Sequence, residues 1–349
     1  MAVREWIKTD ETAEDLLSRV LRERPPLLLP PLHRLPLRAG NVVEVVGPSP
    51  CAKTQILIQV AVNSILPKEW KGVYYGGLEH SVMFIDLDCR FDILRLLQLL
   101  KHRIANAYGS TCLGSSKEVK QDQRDGKVWR FGAKEESDTG YEEDLIEICL
   151  RRFLYIRCYD SYEFLATLKT LHDKLQWSRE ELGTSVHFLM IDSIGAYYWV
   201  DRASTSLPLG AKDRKTLSLQ SVTEAVVNEI RNILLVHPML VLATKATIFG
   251  DKCATNDIKR KFSKWSSQDT LDQSMVGSGS ENLSHREYMP SVWQSFVTYR
   301  IFVRPSFKQL SAANYDVTCE QVYLAEWLLP SLGITDKFAV TDAGIFMVT

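Results

Sequence analysis

The octet Gly47-Pro48-Ser49-Pro50-Cys51-Ala52-Lys53-Thr54 joins a β-branched run, residues 41–46, to a helical run, residues 55–66. Between a strand and a helix, successive backbone N–H groups and the helix N-terminus form an anion nest. Lys53 is expected to reach the β and γ phosphates of ATP, and the hydroxyl of Thr54 to ligate Mg²⁺. Ala52 departs from the pattern, which has glycine at that position. A methyl group there crowds the backbone or resists a positive φ. An ordinary strand-to-helix turn that contains Lys-Thr is the alternative reading.

A second stretch, Phe188-Leu189-Met190-Ile191-Asp192-Ser193, is an apolar strand ending in a carboxylate. An acid at the end of a central strand, across from a phosphate loop, holds the water shell of Mg²⁺. Asp192 therefore joins Thr54 as a candidate metal residue. A third stretch, Phe84-Ile85-Asp86-Leu87-Asp88, runs into acids near the same edge, and one such carboxylate can orient an attacking water. Solvated acids that cap the next helix are the alternative. His187 reads as a packed core histidine. The Tyr197-Tyr198-Trp199 cluster fits either core packing or a partner interface.

These motifs need a scaffold that delivers strand ends to one edge. After Gly40 the chain alternates strand and helix, the pattern of a mainly parallel α/β sheet covered on both faces. Strands are expected at 82–86, 153–158, 186–191, 239–244, 297–303, 321–329 and 344–348. A helix with Phe91, Leu94, Leu97 and Ile104 on one side follows the second strand. Another opens at the capping-box pair Asp160 and Glu163 and aligns Leu165, Leu168, Leu171 and Leu175. A long one carries Leu219, Val222, Val226, Ile230 and Ile233. Residues 1–40 read as a short amphipathic helix, 12–22, and a proline-rich extended linker. The core then spans 41–349, with polar insertions at about 109–140 and 248–289.

The chain has 349 residues, 45% hydrophobic and 24% charged, enough to bury a full core, and its formal charge of −1 hides any local basic patch. Seven cysteines are scattered without a C-x-x-C pair, which argues against a disulfide framework or a zinc site and for a reducing compartment. The N-terminus lacks the apolar run of a signal peptide, and no stretch suits a bilayer, so an intracellular, membrane-free protein is expected.

In this order and spacing the three motifs resemble the RecA-like recombinase superfamily. The resemblance sharpens to the eukaryotic recombinase paralogues over residues 84–96, 191–202 and 293–300, where Asp86-Leu87-Asp88 and Tyr197-Tyr198-Trp199 are not general phosphate-loop features. It implies a RecA-like core, a role in homologous-recombination repair of double-strand breaks and crosslinks, and a nuclear location. It also implies a heteromeric complex with other paralogues, the D-type paralogue as direct neighbour, acting on single-stranded or branched DNA. By the same resemblance Asp88 falls where full recombinases carry a catalytic glutamate, one methylene longer. Residues 1–40 contain no phenylalanine, hence no Phe-x-x-Ala peg, and no helical DNA-binding domain precedes the core. An accessory, non-polymerising subunit with at most weak DNA-dependent ATPase activity is expected.

In that superfamily the loop beyond the strand after Asp192 faces DNA. Here it contains Lys259, Arg260, Lys261 and Lys264 beside Phe262 and Trp265, cations and aromatics of the kind that neutralise phosphates and stack on bases. A surface insertion is the alternative, since acidic residues in the loop balance the basic ones. Two other functions stay open: a scaffold that does not use nucleotide, and a P-loop kinase. A kinase needs an arginine-bearing lid, for which 109–140 offers little apolar anchoring.

Overall fold

The computed structural model describes residues 12, 27, 29–114, 137–182, 185–204, 218–249, 285–306 and 321–348. The amphipathic helix expected at 12–22 lies outside the described residues. Strand β1 (Val42–Gly47) runs into helix α1 (Lys53–Ile65). A small hairpin of β2 (Glu69–Trp70) and β3 (Val73–Tyr74) leads to β4 (Ser81–Asp86) and α2 (Ile93–Gly114). Helix α3 (Ser137–Arg151), β5 (Phe153–Arg157), α4 (Ser161–Leu182), β6 (Val186–Asp192) and the short α5 (Tyr198–Ser204) follow. The chain continues through α6 (Leu219–Val236), β7 (Leu240–Ala246), β8 (Ile248–Phe249), β9 (His285–Arg286) and α7 (Ser291–Phe296). It ends in β10 (Tyr299–Pro305), β11 (Gln321–Leu329), β12 (Ser331–Thr341) and β13 (Gly344–Met347).

Nine strands form one sheet in the order β13-β12-β11-β10-β1-β7-β6-β4-β5. The six from β10 to β5 are mutually parallel, and β11 to β13 add an antiparallel meander. This is the mainly parallel α/β core expected of a RecA-like chain. Side chains alternate across the sheet. Val82, Phe84, Phe188, Met190 and Leu242 face a cluster with Ile56, Val60, Leu96 and Leu100 of α1 and α2. Met83, Ile85, Leu189, Ile191 and Val241 face the opposite cluster with Leu168, Leu171, Val227 and Ile230 of α4 and α6. Burial on both faces explains why the central strands read as unbroken apolar runs.

The two polar insertions, expected at about 109–140 and 248–289, carry regular structure at their ends. Helix α2 continues to Gly114 and α3 begins at Ser137, so both ends of the 109–140 segment are helical. The ends of the 248–289 segment pair as the antiparallel ladder of β8 and β9. The capping-box pair works one residue out of register. Asp160 accepts from the Glu163 amide at 2.7 Å, while the Glu163 carboxylate accepts from the Tyr159 amide at 2.8 Å. Among the described residues no helix is long and apolar enough to cross a membrane.

Candidate nucleotide-binding site

Parallel strands deliver their C-terminal ends to one edge of the sheet, and α/β folds bind ligands in the crevice beyond that edge. Gly47 ends β1 there. A Cβ at Gly47 would stand 2.1 Å from the Val303 carbonyl oxygen and 2.5 Å from Cys51 Sγ, so only glycine lets the loop fold back on β10. Cys51 is buried beneath the loop, and burial pushes its thiol up, with Lys53 opposing weakly. Ala52 precedes α1 in the left-handed conformation, φ 60° and ψ 9°, as a glycine would. Its methyl packs beside the α1–α2 core cluster. The first turn of α1 carries no acid and no capping side chain. Its free amides and dipole face the loop.

Within the loop, Lys53 Nζ donates to the carbonyl oxygens of Gly47 and Pro48, both at 2.9 Å. Thr54 Oγ1 donates to Asp192 Oδ2 at 2.7 Å, and Thr244 Oγ1 donates to Asp192 Oδ1. The register that sets Ile191 beside Ala243 carries Thr244 to that carboxylate. Asp192 is buried. Burial pushes its carboxyl above the usual range, the two threonine hydroxyls pull it back, and the charges of Asp88 and Asp86 add to the rise.

The two acids at this strand end, Asp86 closing β4 and Asp88 just beyond it, separate in role. Asp86 is fully buried and accepts from Tyr155 Oη at 2.9 Å and from the Arg90 and Phe91 amides at 3.4 and 3.3 Å. It fixes the turn after β4. Asp88 lies in the cleft, its side chain 38% exposed, and its amide donates to the Asp192 carbonyl at 3.1 Å. A cavity of about 370 Å³ unites Ser49, Lys53, Thr54, Asp88 and Asp192, with Tyr288 on its wall. A second, more open one of about 820 Å³ shares Pro50, Ala52 and Gln55 with it and reaches Tyr323 and Thr341. Arg95 crosses between them. It donates to Gln55 Oε1 at 3.1 Å and to the Thr341 and Asp342 carbonyls at 2.5 and 3.1 Å.

All eight loop residues, Asp88 and Asp192 thus meet at one place. Lys259, Arg260, Lys261 and Lys264 lie outside the described residues. Residues with no motif to announce them complete the site: Arg90, Arg95, Thr244 and Tyr288. The aromatic cluster divides. Tyr197 Oη donates to the Leu87 carbonyl at 3.0 Å and to that of Cys158, a strut between strand ends. Tyr198 and Trp199 pack on Tyr288, and Trp199 stays 54% exposed. His187 stacks on His80 with ring centroids 3.8 Å apart, at the far end of the strands.

The residues fit a magnesium nucleotide. An ammonium and free helix amides suit phosphate oxygens, and a hydroxyl beside a carboxylate is the hard oxygen set that Mg²⁺ takes. Beneath the site lies a buried ion group. Glu44 of β1 accepts from Trp293 Nε1 at 2.8 Å and Arg300 Nε at 2.5 Å, with Lys245 Nζ 3.2 Å away. Lys245 also donates to Glu287 at 2.7 Å, beside Tyr288.

No family model matches the chain. It is 48% identical over 341 residues to an Arabidopsis thaliana protein named DNA repair protein XRCC2 homolog, covering 97% of this chain and 88% of that one. It is 26% identical over 300 residues to the Mus musculus DNA repair protein XRCC2, 83% of each chain. A 71-residue stretch, 20% of this chain and 19% of the other, is 32% identical to the Mus musculus DNA repair protein RAD51 homolog 2.

Proposed function

The chain belongs to the XRCC2 family of DNA repair proteins, and from that premise we propose that it is an accessory, ATP-binding subunit of a heteromeric recombinase-paralogue complex acting on DNA in the nucleus. The observation that carries the nucleotide part is the convergence of Lys53, Thr54 and Asp192 at the mouth of α1, with Ala52 already holding the left-handed backbone of a phosphate loop. Lys53 exchanges two neutral carbonyl partners for phosphate oxygens. Thr54 and Asp192 would hold Mg²⁺ through a hydroxyl and a carboxylate. When bound, Mg²⁺ would neutralise phosphate charge.

Binding is weak because it must first break interactions the free site already makes. Lys53 leaves two hydrogen bonds, and Asp192 must stay ionised where burial disfavours it. Turnover is low because Asp88 is one methylene shorter than the glutamate it replaces. The D-type paralogue as neighbour and DNA as ligand follow from the family resemblance. An open surface supports a partner. Among the described residues β5 is an outer strand of the sheet, flanked by exposed Tyr155, Tyr159 and Tyr162. An unpaired strand edge is a template for an extended partner segment.

A second reading, a scaffold that ignores nucleotide, is favoured by Asp88, the shorter acid at the position of the catalytic glutamate. Calorimetric titration with Mg²⁺–ATP, of the chain and of its complex with the D-type paralogue, separates the two. Saturable heat that disappears in Lys53→Ala supports the nucleotide reading, and no heat from parent chain and complex alike leaves the scaffold.

A further inference from the structure

Arg90 stands at the mouth of the nucleotide cleft and has no place in the phosphate-loop motif. Its position is set by the turn after β4. Asp86 accepts from the amides of Arg90 and Phe91, and Cys89 adopts φ 55°, a left-handed kink that a non-glycine side chain rarely takes. Asp86 is itself held by Tyr155 and by Arg157 at 3.7 Å. The kink sends the Arg90 side chain across the cleft. Its Nη1 donates to Ser49 Oγ at 3.0 Å, and its Nε lies 3.8 Å from Asp88 Oδ2. The side chain is 62% exposed and makes no other hydrogen bond or ion pair among the described residues. Most of its five planar N–H donors are therefore free to take a tetrahedral anion.

The charges in the cleft call for such a cation. Lys53 is the other cation lining it, against the carboxylates of Asp88 and Asp192. With Mg²⁺ bound, one ammonium still leaves a polyphosphate and two carboxylates with an excess of negative charge. Arg90 meets that excess at the mouth of the cleft, where it touches Ser49 of the loop and lies beside Asp88.

We propose that Arg90 recognises the terminal phosphate of a nucleoside triphosphate in cis, leaving Ser49 and Asp88 to do so, and thereby sets a preference for triphosphate over diphosphate. The proposal deepens the nucleotide reading above and rests on it. A diphosphate leaves the space between Ser49, Asp88 and Arg90 unfilled, so the guanidinium keeps the partners seen here.

The test is calorimetric titration of the full chain, as parent, Arg90→Ala and Arg90→Lys, with Mg²⁺–ATPγS and Mg²⁺–ADP. Arg90→Ala is expected to weaken ATPγS about tenfold, the lower end for a charge-assisted interaction on an exposed side chain. ADP affinity is expected to stay within about twofold. Arg90→Lys keeps the charge but not the fork, and should fall between. An unchanged thermal midpoint shows that the variants fold. Equal losses for both nucleotides, or no loss for either, overturn the role of Arg90 and leave the nucleotide site standing. A parent chain and complex that bind neither nucleotide overturn both.

Discussion

Ala52 gives the sharpest test, because the structure changes what its replacement should do. If the methyl group prevented the loop from forming, Ala52→Gly would act on nucleotide affinity. In the free chain, however, Ala52 already sits at φ 60°, ψ 9°, and its methyl packs beside the core cluster. The left-handed conformation costs a non-glycine residue about 1–2 kcal/mol, and folding bears that cost whether or not a ligand is present. Glycine removes it, but gives back about 0.4–1 kcal/mol through the larger entropy of its unfolded chain. The net expectation for Ala52→Gly is a stabilisation of about 0.5–1 kcal/mol, or roughly 1–3 °C in thermal midpoint for a chain of this length. Affinity for Mg²⁺–ATP should change by less than about threefold, since the strain is common to free and bound states. Scanning calorimetry and isothermal titration of the same preparations measure both. A variant that is no more stable than the parent yet binds ATP more than tenfold tighter would refute the reasoning, and would locate the strain in the bound state.

Four further outcomes are expected. Asp88→Glu should raise ATP turnover with little change in affinity, read by a phosphate-release assay beside a titration. Replacing Lys259, Arg260, Lys261 and Lys264 together with alanine should weaken single-strand binding by the assembled complex. It should also flatten its salt dependence by up to about 0.7 log units for each phosphate no longer neutralised. Glu44→Gln should destabilise the fold by about 3–5 kcal/mol in chemical denaturation, because Lys245 and Arg300 lose a fully buried counter-charge. Burial and the neighbouring His187 depress His80 to about 4 in the fold. The folded chain therefore resists a proton that the unfolded chain accepts below about 6.5. Stability should be intact above that value and fall as the pH drops from about 6.5 towards 4, and His80→Gln should flatten the fall.

The parts of the site that sequence made legible are those where chemistry is local. The loop, Lys53 and Thr54 are contiguous, and Asp192 ends a strand whose apolar run marks it as central. Arg90 and Arg95 were not legible, because an arginine acquires a role only when a distant turn aims it, here the Cys89 kink and the β12–β13 carbonyls. Thr244 needed the strand register. Among the elements not foreseen, two escaped for a similar reason. Helix α3 buries few side chains, among them Leu145 and Cys149 four residues apart, within an acidic segment that reads as solvated. Strand β12 carries Gly333 and a buried Asp336, poor strand formers, and is held by pairing on both sides and by Arg34, which donates to Asp336 from the start of the chain.

The segment between β8 and β9 is rooted where nucleotide chemistry would occur. On its leading side, the Thr247 amide donates to the Gly47 carbonyl at 3.0 Å, one of the carbonyls that Lys53 Nζ holds. On its trailing side, Glu287 is bonded to Lys245, whose other counter-charge is Glu44 in β1. The next residue, Tyr288, lines the cleft, and its hydroxyl would lie 2.3 Å from a Cβ at Gly195, so glycine makes room for it. Both roots are therefore fastened to β1, one through the phosphate loop and one through a buried ion group. The Gly47 carbonyl thus takes one donor from the lysine of the loop and one from the root of the segment.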